Sequence, residues 1–533
     1  MKNTTKLSLD SKTQKGFLSL KSYLWGFVIV LISLPFSVAF AQNVQISGKV
    51  TDEAGEPILG ANVVIAGTTN GATTDISGSF SLNANVGDNI TVSYVGYDTQ
   101  NFQVVAGKTV YNITLQEAIT SLGTVYVVGS RNVNRSELDS PVPIDVIDIA
   151  GLANSTGRVE INQIMQFAAP SFNATKQSGS DGADHIDPAS LRGLGPDQTL
   201  VLINGKRRHQ SSLVNIFGTR GRGNSGTDLN SIPAAAIKRI EVLRDGASAQ
   251  YGSDAIAGVI NIVLKDDVET ISGGLTYGAY STNVGEGYED EAGDVLYNVL
   301  GTNRLDGEDR KYDGNTVKLD LNYGMKLGDK GGFANITTEY LTKQRTLRPG
   351  WSWRQGYGTA AVDGFNFMLN SSVPLDENTE VYLFGGRNYR STDAYAFSRG
   401  SFADGDNRSV ASLYPNGFTP HITSLITDAS VTGGIRHTMD NGWNVDFSNS
   451  YGKNLFHYFI TGTNNASLGD ASSTHFDAGG HSLAMNTTNL DFNKFHKEIS
   501  SGLNLAFGME FRTENFEIFE GEEGSYALYD VNG

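Results

Sequence analysis

Apolar and polar residues alternate without a break from position 316 to position 327. The odd positions from Val317 to Leu327 are valine, leucine, tyrosine or methionine, and the even positions are polar residues or glycine. A period of two gives a β-strand one apolar face, and about 9 to 11 tilted residues suffice to cross a bilayer. Turning the even face to lipid would expose two lysines at about 2–4 kcal/mol each. We therefore predict a membrane strand whose odd-numbered side chains face outward.

Short and long connections alternate between the strands that the pattern predicts after Glu269. An outer-membrane barrel has this arrangement, with short periplasmic turns and long external loops. A soluble propeller or sandwich is the alternative, and it gives no reason for the alternation. The short turns are 328–332, 376–379 and 439–442, and the long polar stretches are 283–314, 346–362, 396–425 and 461–485.

The N-terminal 41 residues have the order of a secretory signal peptide. Five lysines precede the apolar run Leu24–Leu34, and Ala39-Phe40-Ala41 follows it. Eleven residues at 1.5 Å each cannot cross about 30 Å of hydrocarbon as a helix, and small residues in this spacing suit a signal peptidase. A transmembrane anchor is the alternative. We predict that residues 1–41 are removed and that the mature chain starts at Gln42.

Charge and composition exclude several classes of function. The formal net charge of −17 argues against a nucleic-acid partner, which needs a basic surface. The chain has no cysteine, so disulfides, thiolate metal sites and cysteine nucleophiles are ruled out. Its histidines show no paired spacing for zinc. We therefore expect no metal site.

Two folded segments precede the predicted barrel. Residues 44–117 read as short strands punctuated by Gly and Asp, which favours a small antiparallel β-sandwich. Residues 137–268 mix helical and strand patterns. An apolar stripe from Val159 to Phe167 predicts a helix, Thr199–Ile203 predicts a buried strand that ends in the turn Asn204-Gly205, and Ile232–Lys265 predicts a helix, a strand, a glycine turn and a second strand.

These segments resemble known domains. Ser190–Arg207 (SLRGLGPDQTLVLINGKR) and Ile232–Lys265 resemble the plug domain of TonB-dependent outer-membrane receptors, and residues 44–117 resemble the carboxypeptidase regulatory-like domain of the Bacteroidota type. The resemblance implies a mainly β chain with an N-terminal β-sandwich, a small α/β plug domain and an antiparallel transmembrane β-barrel from residue 269 to residue 533. The plug-motif positions are Arg192, Gly193, Asn204, Gly205, Arg239, Glu241, Arg244, Gly246, Tyr251, Gly252, Gly258 and Asn261.

The resemblance also implies a function and partners. Members of this family take up a scarce ligand, such as a ferric siderophore, cobalamin, a glycan or a peptide, with energy delivered by a TonB-type periplasmic transducer. It implies outer-membrane lipid as surroundings, a surface lipoprotein as a further candidate partner, no cofactor and no catalysed bond change. Two alternatives are an outer-membrane binding or adhesion protein without transport and a secreted soluble β-sandwich enzyme.

Within the plug motif, two groups of residues have a predicted physical role. Gly246, Gly252 and Gly258 stand where strands reverse or where another backbone approaches, so a Cβ would clash. Arg239, Glu241 and Arg244 are hypothesised to pair with charges of the barrel wall and so to hold the plug inside. The alternative for these three residues is an ordinary solvated strand face.

Two segments are candidate contact sites. Thr124, Val125, Tyr126, Val127 and Val128, in the linker 118–136, resemble the TonB box, which binds by pairing with an edge strand of the transducer. The alternative is a last strand of the sandwich.

Residues 221–226 satisfy G-x-G-x-x-G outside the required strand-to-helix context. Arg220 and Arg222 in this loop are candidates for contact with an anionic ligand.

The number of strands differs from that of the resembled family. About nine strands are predicted after Glu269, whereas plugged transporters close with roughly 22. The sequence therefore predicts an open half-barrel, and we expect Gly533 to be the end of a fragment that is inactive alone.

Overall fold

The computed structural model describes residues 43–115, 144–283, 310–346 and 358–530, except for 53–54, 67, 69, 95–96, 98–99, 175, 217–218, 220, 497–498 and 500–501. The predicted signal peptide, the candidate TonB box and Arg220 lie outside the described residues. The chain divides into two compact units, Met1–Leu122 and Gly123–Gly533. Among the helices of the described residues, none has both the length and the apolarity needed to cross a bilayer.

The first unit is a sandwich of two small sheets, as the glycine-punctuated strands predicted. One sheet has the order β4-β1-β7 and the other β3-β2-β5-β6. Alternate side chains of both sheets, among them Ile46, Val63, Phe80 and Ile90, fill a common core. The strands are β1 (Asn43–Thr51), β2 (Asn62–Ile65), β3 (Gly71–Thr73), β4 (Ser79–Asn85), β5 (Asn89–Ser93), β6 (Gln100–Gln103) and β7 (Ile113–Thr114).

The second unit begins with an α/β domain, which we call the plug. Its main sheet has the order β12-β11-β14-β13-β8, in which β11 and β14 run parallel and the other neighbours antiparallel. Its elements are β8 (Ile144–Ile147), α1 (Ile149–Thr156), α2 (Ile161–Ala168), β9 (Phe172–Asn173), β10 (Ser190–Leu191), β11 (Thr199–Ile203), β12 (Lys206–Arg207), β13 (Ile237–Leu243), α3 (Ser248–Tyr251) and β14 (Gly258–Leu264).

The plug departs from the predicted helices in two places. The helix expected at the start of Ile232–Lys265 is a single 3₁₀ turn, Ala234–Ala236, because the chain enters β13 directly afterwards. In α2, Ile161, Ile164 and Met165 are buried, but Phe167 is 61% exposed. The apolar stripe is therefore narrower than predicted, since position 167 points well away from the buried face of a helix with 3.6 residues per turn.

A nine-stranded antiparallel sheet, which we call the wall, follows the plug, and its strands lie side by side in chain order. In the described residues β15 and β23 do not pair with each other, so the sheet is open, as the strand count predicted. The strands are β15 (Thr270–Asn283), β16 (Arg310–Leu327), β17 (Gly332–Lys343), β18 (Ala361–Pro374), β19 (Thr379–Tyr395), β20 (His421–Thr438), β21 (Asn444–Thr461), β22 (His475–His496) and β23 (Leu503–Phe519).

The predicted short turns are confirmed, but the predicted long loops extend too far, because residues 310–314, 361–362, 421–425 and 475–485 lie in β16, β18, β20 and β22. Short connections join β16 to β17, β18 to β19 and β20 to β21. Residues 475–485, expected in a loop, form the first half of β22. Glycines and polar residues in this stretch obscure the period of two on which the strand assignment depended. We call the two ends of the wall the short-turn end and the long-loop end.

The two faces of the wall differ as the alternation in β16 predicted. Leu319, Leu321 and Tyr323 are exposed on the outer face, whereas Lys318 and Asn322 are buried on the inner face. The inner face packs on the plug, and wall side chains join the hydrophobic core of the plug sheet. These wall residues are Met368, Tyr382 and Phe384.

Candidate functional site at the interface of plug and wall

A tight turn places the segment Lys206–Ser212 against the wall. Asn204 and Gly205 both have positive φ, 48° and 80°, as the predicted turn requires. The amide oxygen of Asn204 accepts from the backbone of Leu264 at 2.9 Å, and its Nδ2 donates to Asn370 of β18 at 3.0 Å. The turn is thus fixed to the plug sheet on one side and to the wall on the other.

Beyond the turn, two plug side chains converge on Asp428 of β20. Arg208 forms an ion pair with Asp428, and His209 Nε2 lies 2.9 Å from its Oδ2. Asn454 of β21 donates to the same Oδ2 at 3.0 Å. All four side chains are buried. We call Arg208, His209 and Asp428 the central latch, because Arg208 and His209 join the plug to the wall through one buried carboxylate.

The position of the His209 imidazole depends on a glycine in the wall, which has no side chain to occupy the same space. A Cβ added to Gly452 of β21 would lie 2.0 Å from His209 Nδ1. Burial lowers the pKa of His209 and Arg208 adds to this effect, although Asp428 opposes it. Near neutral pH the ring is therefore neutral, and it acts by packing and hydrogen bonding, while Arg208 balances the charge of Asp428.

A second buried pair joins Asp228 of the plug to Arg390 of β19. The other oxygen of Asp228 accepts from the backbone of Asn230 at 3.1 Å and caps a 3₁₀ turn. Burial raises the pKa of Asp228, and Arg390 acts against this shift. Removing one partner of such a pair would leave an uncompensated buried charge, which is costly.

Charged groups also link plug and wall nearer the short-turn end. Lys206 Nζ lies 3.1 Å from Asp446 and 3.5 Å from Asp491, on β21 and β22. Arg207 pairs with Asp254 of the plug, and Arg512 of β23 donates to the same carboxylate at 2.9 Å. Arg207 Nε also lies 3.4 Å from Glu510 of β23, so the segment 206–209 contacts four neighbouring strands, β20 to β23.

At the long-loop end, Glu160 lies between two lysines. Its carboxylate is 3.0 Å from Lys343, the last residue of β17, and 2.8 Å from Lys176 of the plug. Lys176 also lies 2.9 Å from Asp187. Burial alone would raise the pKa of Glu160, but the two lysines outweigh it and hold this pKa well below its usual range.

Arg239 and Glu241 of β13, and Arg244 directly after it, form ion pairs inside the plug. Arg239 pairs with Glu241 at 2.8 Å, and Arg244 pairs with Asp145 of β8 at 2.7 Å. Glu241 is fully buried and accepts from Asn261 at 2.9 Å. These pairs lie inside the plug rather than between plug and wall, because β13 is an interior strand of the plug sheet. They order the sheet, and the wall pairs come from Lys206–His209 and Asp228 instead.

The contacts of segment 206–209 were missed although the sequence carries a signal for them. Lys206-Arg207-Arg208-His209 is a concentrated cationic run directly after a turn. A buried wall contact requires anionic partners, and these lie on strands more than 200 residues later in the chain, such as Asp428. The pairing could therefore not be predicted from the local sequence pattern.

The predicted glycines differ in how much space each leaves for a Cβ atom. Gly258 has φ 146°, and a Cβ there would lie 2.3 Å from the carbonyl oxygen of Leu243. Gly252 has φ 90° and follows Tyr251, whose carbonyl accepts from Arg207 at 3.0 Å. At Gly246 the nearest atom to an added Cβ is 3.3 Å away, so the predicted clash is mild.

The remaining predicted residues lie at the surface of the plug. Arg192 and Gly193 both have positive φ, and Arg192 approaches Asp245 at 3.5 Å. Arg222 is exposed in the loop that follows Ser212. In the described ranges, no group of three or more His, Asp or Glu side chains is placed to hold a metal ion.

Two family models match the chain. Residues 136–259 match the TonB-dependent Receptor Plug Domain, and residues 46–127 match the CarboxypepD_reg-like domain. The second match extends through Val127 and so overlaps the candidate TonB box. A plug domain seated on an antiparallel sheet with an apolar outer face defines the class of plugged outer-membrane barrels.

Curated relatives agree with this class. The TonB-dependent receptor SusC of Bacteroides thetaiotaomicron is 30% identical over 56% of this chain and 29% of the relative. The probable TonB-dependent siderophore receptor PirA of Acinetobacter baumannii is 28% identical over 54% of this chain and 39% of the relative. The ferric enterobactin receptor PfeA of Pseudomonas aeruginosa superposes with a TM-score of 0.48 at 18% identity, covering 70% of this chain and 49% of that structure.

In its plug domain, its N-terminal domain and its relatives, the chain is similar to TonB-dependent receptors of the type with a carboxypeptidase regulatory-like domain. It spans less than two fifths of the length of the SusC and PirA relatives.

Proposed function

We propose that this protein serves the energised uptake of a scarce ligand across the outer membrane. The observation that carries the proposal is the plug, which is held on the inner face of the wall by the buried pairs Arg208–Asp428 and Asp228–Arg390. A plug anchored by a few discrete ion pairs blocks passage at rest and is released when these pairs separate. The ligand class proposed here is broad: a ferric siderophore, cobalamin, a glycan or a peptide.

The outer membrane is the proposed location. The wall turns Leu319, Leu321 and Tyr323 outward and keeps Lys318 paired with Glu339, at 2.9 Å, on the inner face. Charges on the lipid side of a strand are costly, so this distribution suits a bilayer. The chain has no catalytic step in this proposal, which agrees with the relatives being named as receptors.

The proposed source of energy is a TonB-type periplasmic transducer that binds Thr124–Val128. A strand pairs with an edge through its main chain, so the side chains of the box only adjust the affinity. β8, the first described strand after the linker, forms an edge of the plug sheet. The proposal extends to Arg220 and Arg222 as contacts for an anionic ligand and to a surface lipoprotein above the long loops.

Deletion of residues 124–128 tests the proposal. In a strain that lacks the chromosomal gene, we expect the deletion variant to reach the outer membrane but to lose uptake of candidate iron and carbon sources. Deletion of the five residues 131–135 is the length-matched control and should leave uptake intact. Measurable uptake that is equal in both variants would contradict the assignment of residues 124–128 as the box, whereas outer-membrane binding without uptake in the control variant would favour a binding protein without transport.

A further inference from the structure

The chain passes from the plug to the wall over residues 265–269, which lie against the inner face of the wall. β15 begins at Thr270, which pairs with Gly324 of β16. A Cβ added to Gly324 would lie 2.0 Å from the carbonyl oxygen of Asp267, so the backbone of the passage fits against bare backbone of the wall. Glu269 has a φ of 54°, which is uncommon for a residue with a side chain. Such a conformation persists only where surrounding contacts fix it.

Two wall asparagines donate hydrogen bonds to the backbone of this passage. Asn370 Nδ2 of β18 donates to the carbonyl of Lys265 at 2.9 Å, and Asn335 Nδ2 of β17 donates to the carbonyl of Asp267 at 3.3 Å. Both asparagines are buried. We call Asn335 and Asn370 the asparagine clamp. A buried polar group that loses its partner is costly, so both bonds oppose separation of the passage from the wall.

Neither member of the asparagine clamp carries a charge, in contrast to the central latch. Asn370 Oδ1 accepts from Asn204 of the plug at 3.0 Å, and Asn335 Oδ1 accepts from Asn322 of β16. Each clamp side chain is therefore bonded through both its oxygen and its nitrogen, which fixes its orientation. The clamp uses no group of the central latch, so the loss of a latch charge leaves the clamp bonds in place.

The clamp acts on the central strand of the plug sheet. β14 ends one residue before Lys265, and it lies between β11 and β13 in the sheet. The latch residues Arg208 and His209 follow β12 at one edge of the sheet, and β8 forms the other edge. Either edge can therefore move without breaking the clamp.

We propose that the passage 265–269 is the fixed pivot of the plug. When the central latch opens, β14 stays bound to the wall through the asparagine clamp, and the edges of the sheet move around it. The plug then does not leave the wall as one body. This inference goes beyond the proposed uptake, because it concerns the plug alone and needs neither a ligand nor a transducer.

Hydrogen–deuterium exchange of the purified full chain in detergent tests the pivot. Asp428→Asn opens the latch, and exchange should rise at least tenfold in residues 206–213 but change less than twofold in residues 258–270. Asn335→Ala combined with Asn370→Ala removes both clamp donors. Exchange in residues 265–270 should then rise about tenfold or more, since two lost hydrogen bonds of ordinary strength correspond to at least that factor.

The matched control for the clamp variant is Asn449→Ala combined with Asn486→Ala. These two exposed amides bond to each other on neighbouring wall strands, so their loss should leave exchange in both segments as in the wild type. Gly324→Ala covers the case in which the double clamp variant fails to fold, because its methyl group displaces Asp267 and should also raise exchange in residues 265–270. Gly364→Ala is its control, since the nearest atom to the added Cβ would be 3.6 Å away.

Two kinds of result would overturn the inference. One is a rise in residues 258–270 as large as that in residues 206–213 for Asp428→Asn, or a rise in neither segment. The other is exchange in the clamp variant or in Gly324→Ala that is no faster than in its control. Uptake that depends on the box is measured separately, so its failure would leave the pivot standing, and failure of the pivot would leave the uptake proposal standing.

Discussion

Arg208 of the plug and Asp428 of the wall form a buried ion pair although 220 residues separate them in the chain. His209 and Asn454 complete the hydrogen bonding of the same carboxylate. A desolvated pair with this many partners specifies one seating of the plug, because a displaced plug would leave charges without compensation.

We predict that Asp428→Asn loosens the plug. The substitution leaves the Arg208 guanidinium buried without a counter-ion and should lower the free energy of unfolding by about 3–5 kcal/mol. Limited trypsin digestion of the folded protein in detergent should cut faster at Arg207 or Arg208.

Asp440→Asn, in the exposed turn between β20 and β21, is the matched control for this measurement. It should change stability by no more than about 0.5 kcal/mol. If Asp428→Asn digested no faster than this control, the central latch would not hold the plug.

Gly452→Ala should displace His209. The new methyl group would lie 2.0 Å from His209 Nδ1, so the ring must move away from Asp428. Overpacking of this kind costs about 1–3 kcal/mol. Denaturant unfolding measures the change, and Gly433→Ala on β20 is the control because its nearest neighbour, a Leu383 methyl group, would be 3.6 Å away. Equal stability of the two variants would argue against close packing of His209 on Gly452.

The stability of the folded chain should depend on His185 in acid. Burial, and then Arg390, lower the pKa of His185 to about 3 from 6.5, while Asp393 opposes the shift. Its Nδ1 lies 2.6 Å from Thr392 Oγ1. Below pH 6.5 the unfolded chain binds a proton that the folded chain does not, so stability is complete above 6.5 and falls as the pH drops toward 3.

Comparison of the wild type with His185→Asn at pH 7.5 and pH 4.5 isolates this effect from that of the carboxylates. The wild type should lose more stability between the two values than the variant, by up to about 3 kcal/mol, since two pH units below 6.5 correspond to roughly that free energy. An equal loss in both proteins would show that His185 does not titrate with folding.

Tyr126→Pro separates the two interpretations of residues 124–128. Proline removes a backbone donor and disrupts strand pairing. If the segment pairs with the transducer, the purified variant should lose binding to the periplasmic domain of that protein and keep its thermal stability, and Tyr126→Thr should keep both. If the segment is a last strand of the sandwich, the proline variant should instead unfold at lower temperature.

Regular sequence patterns predicted the strands of the wall better than the contacts between the plug and the wall. The alternation from Val317 to Leu327 predicted which face of β16 is exposed, and a few polar residues marked the three hairpin turns at 328–332, 376–379 and 439–442. The pairs of Arg239 with Glu241 and of Arg244 with Asp145 were not predicted, because they depend on the position of β13 within the plug sheet. The central latch depends on a carboxylate far along the chain, and the asparagine clamp depends on amides of two wall strands. Neither leaves a periodic signal.

One margin of the plug sheet carries the wall contacts of Lys206 and Arg207, and the first described strand after the linker forms the other margin. β12, with Lys206 and Arg207, forms one edge, and β8, the first plug strand after the linker, forms the opposite edge through four residue pairs with β13. Under the proposed function, tension drawn through the linker would act first on β8, at the margin opposite to the one that carries Lys206 and Arg207. Displacement of β8 alone would leave the ion-paired margin in place as a tether for return.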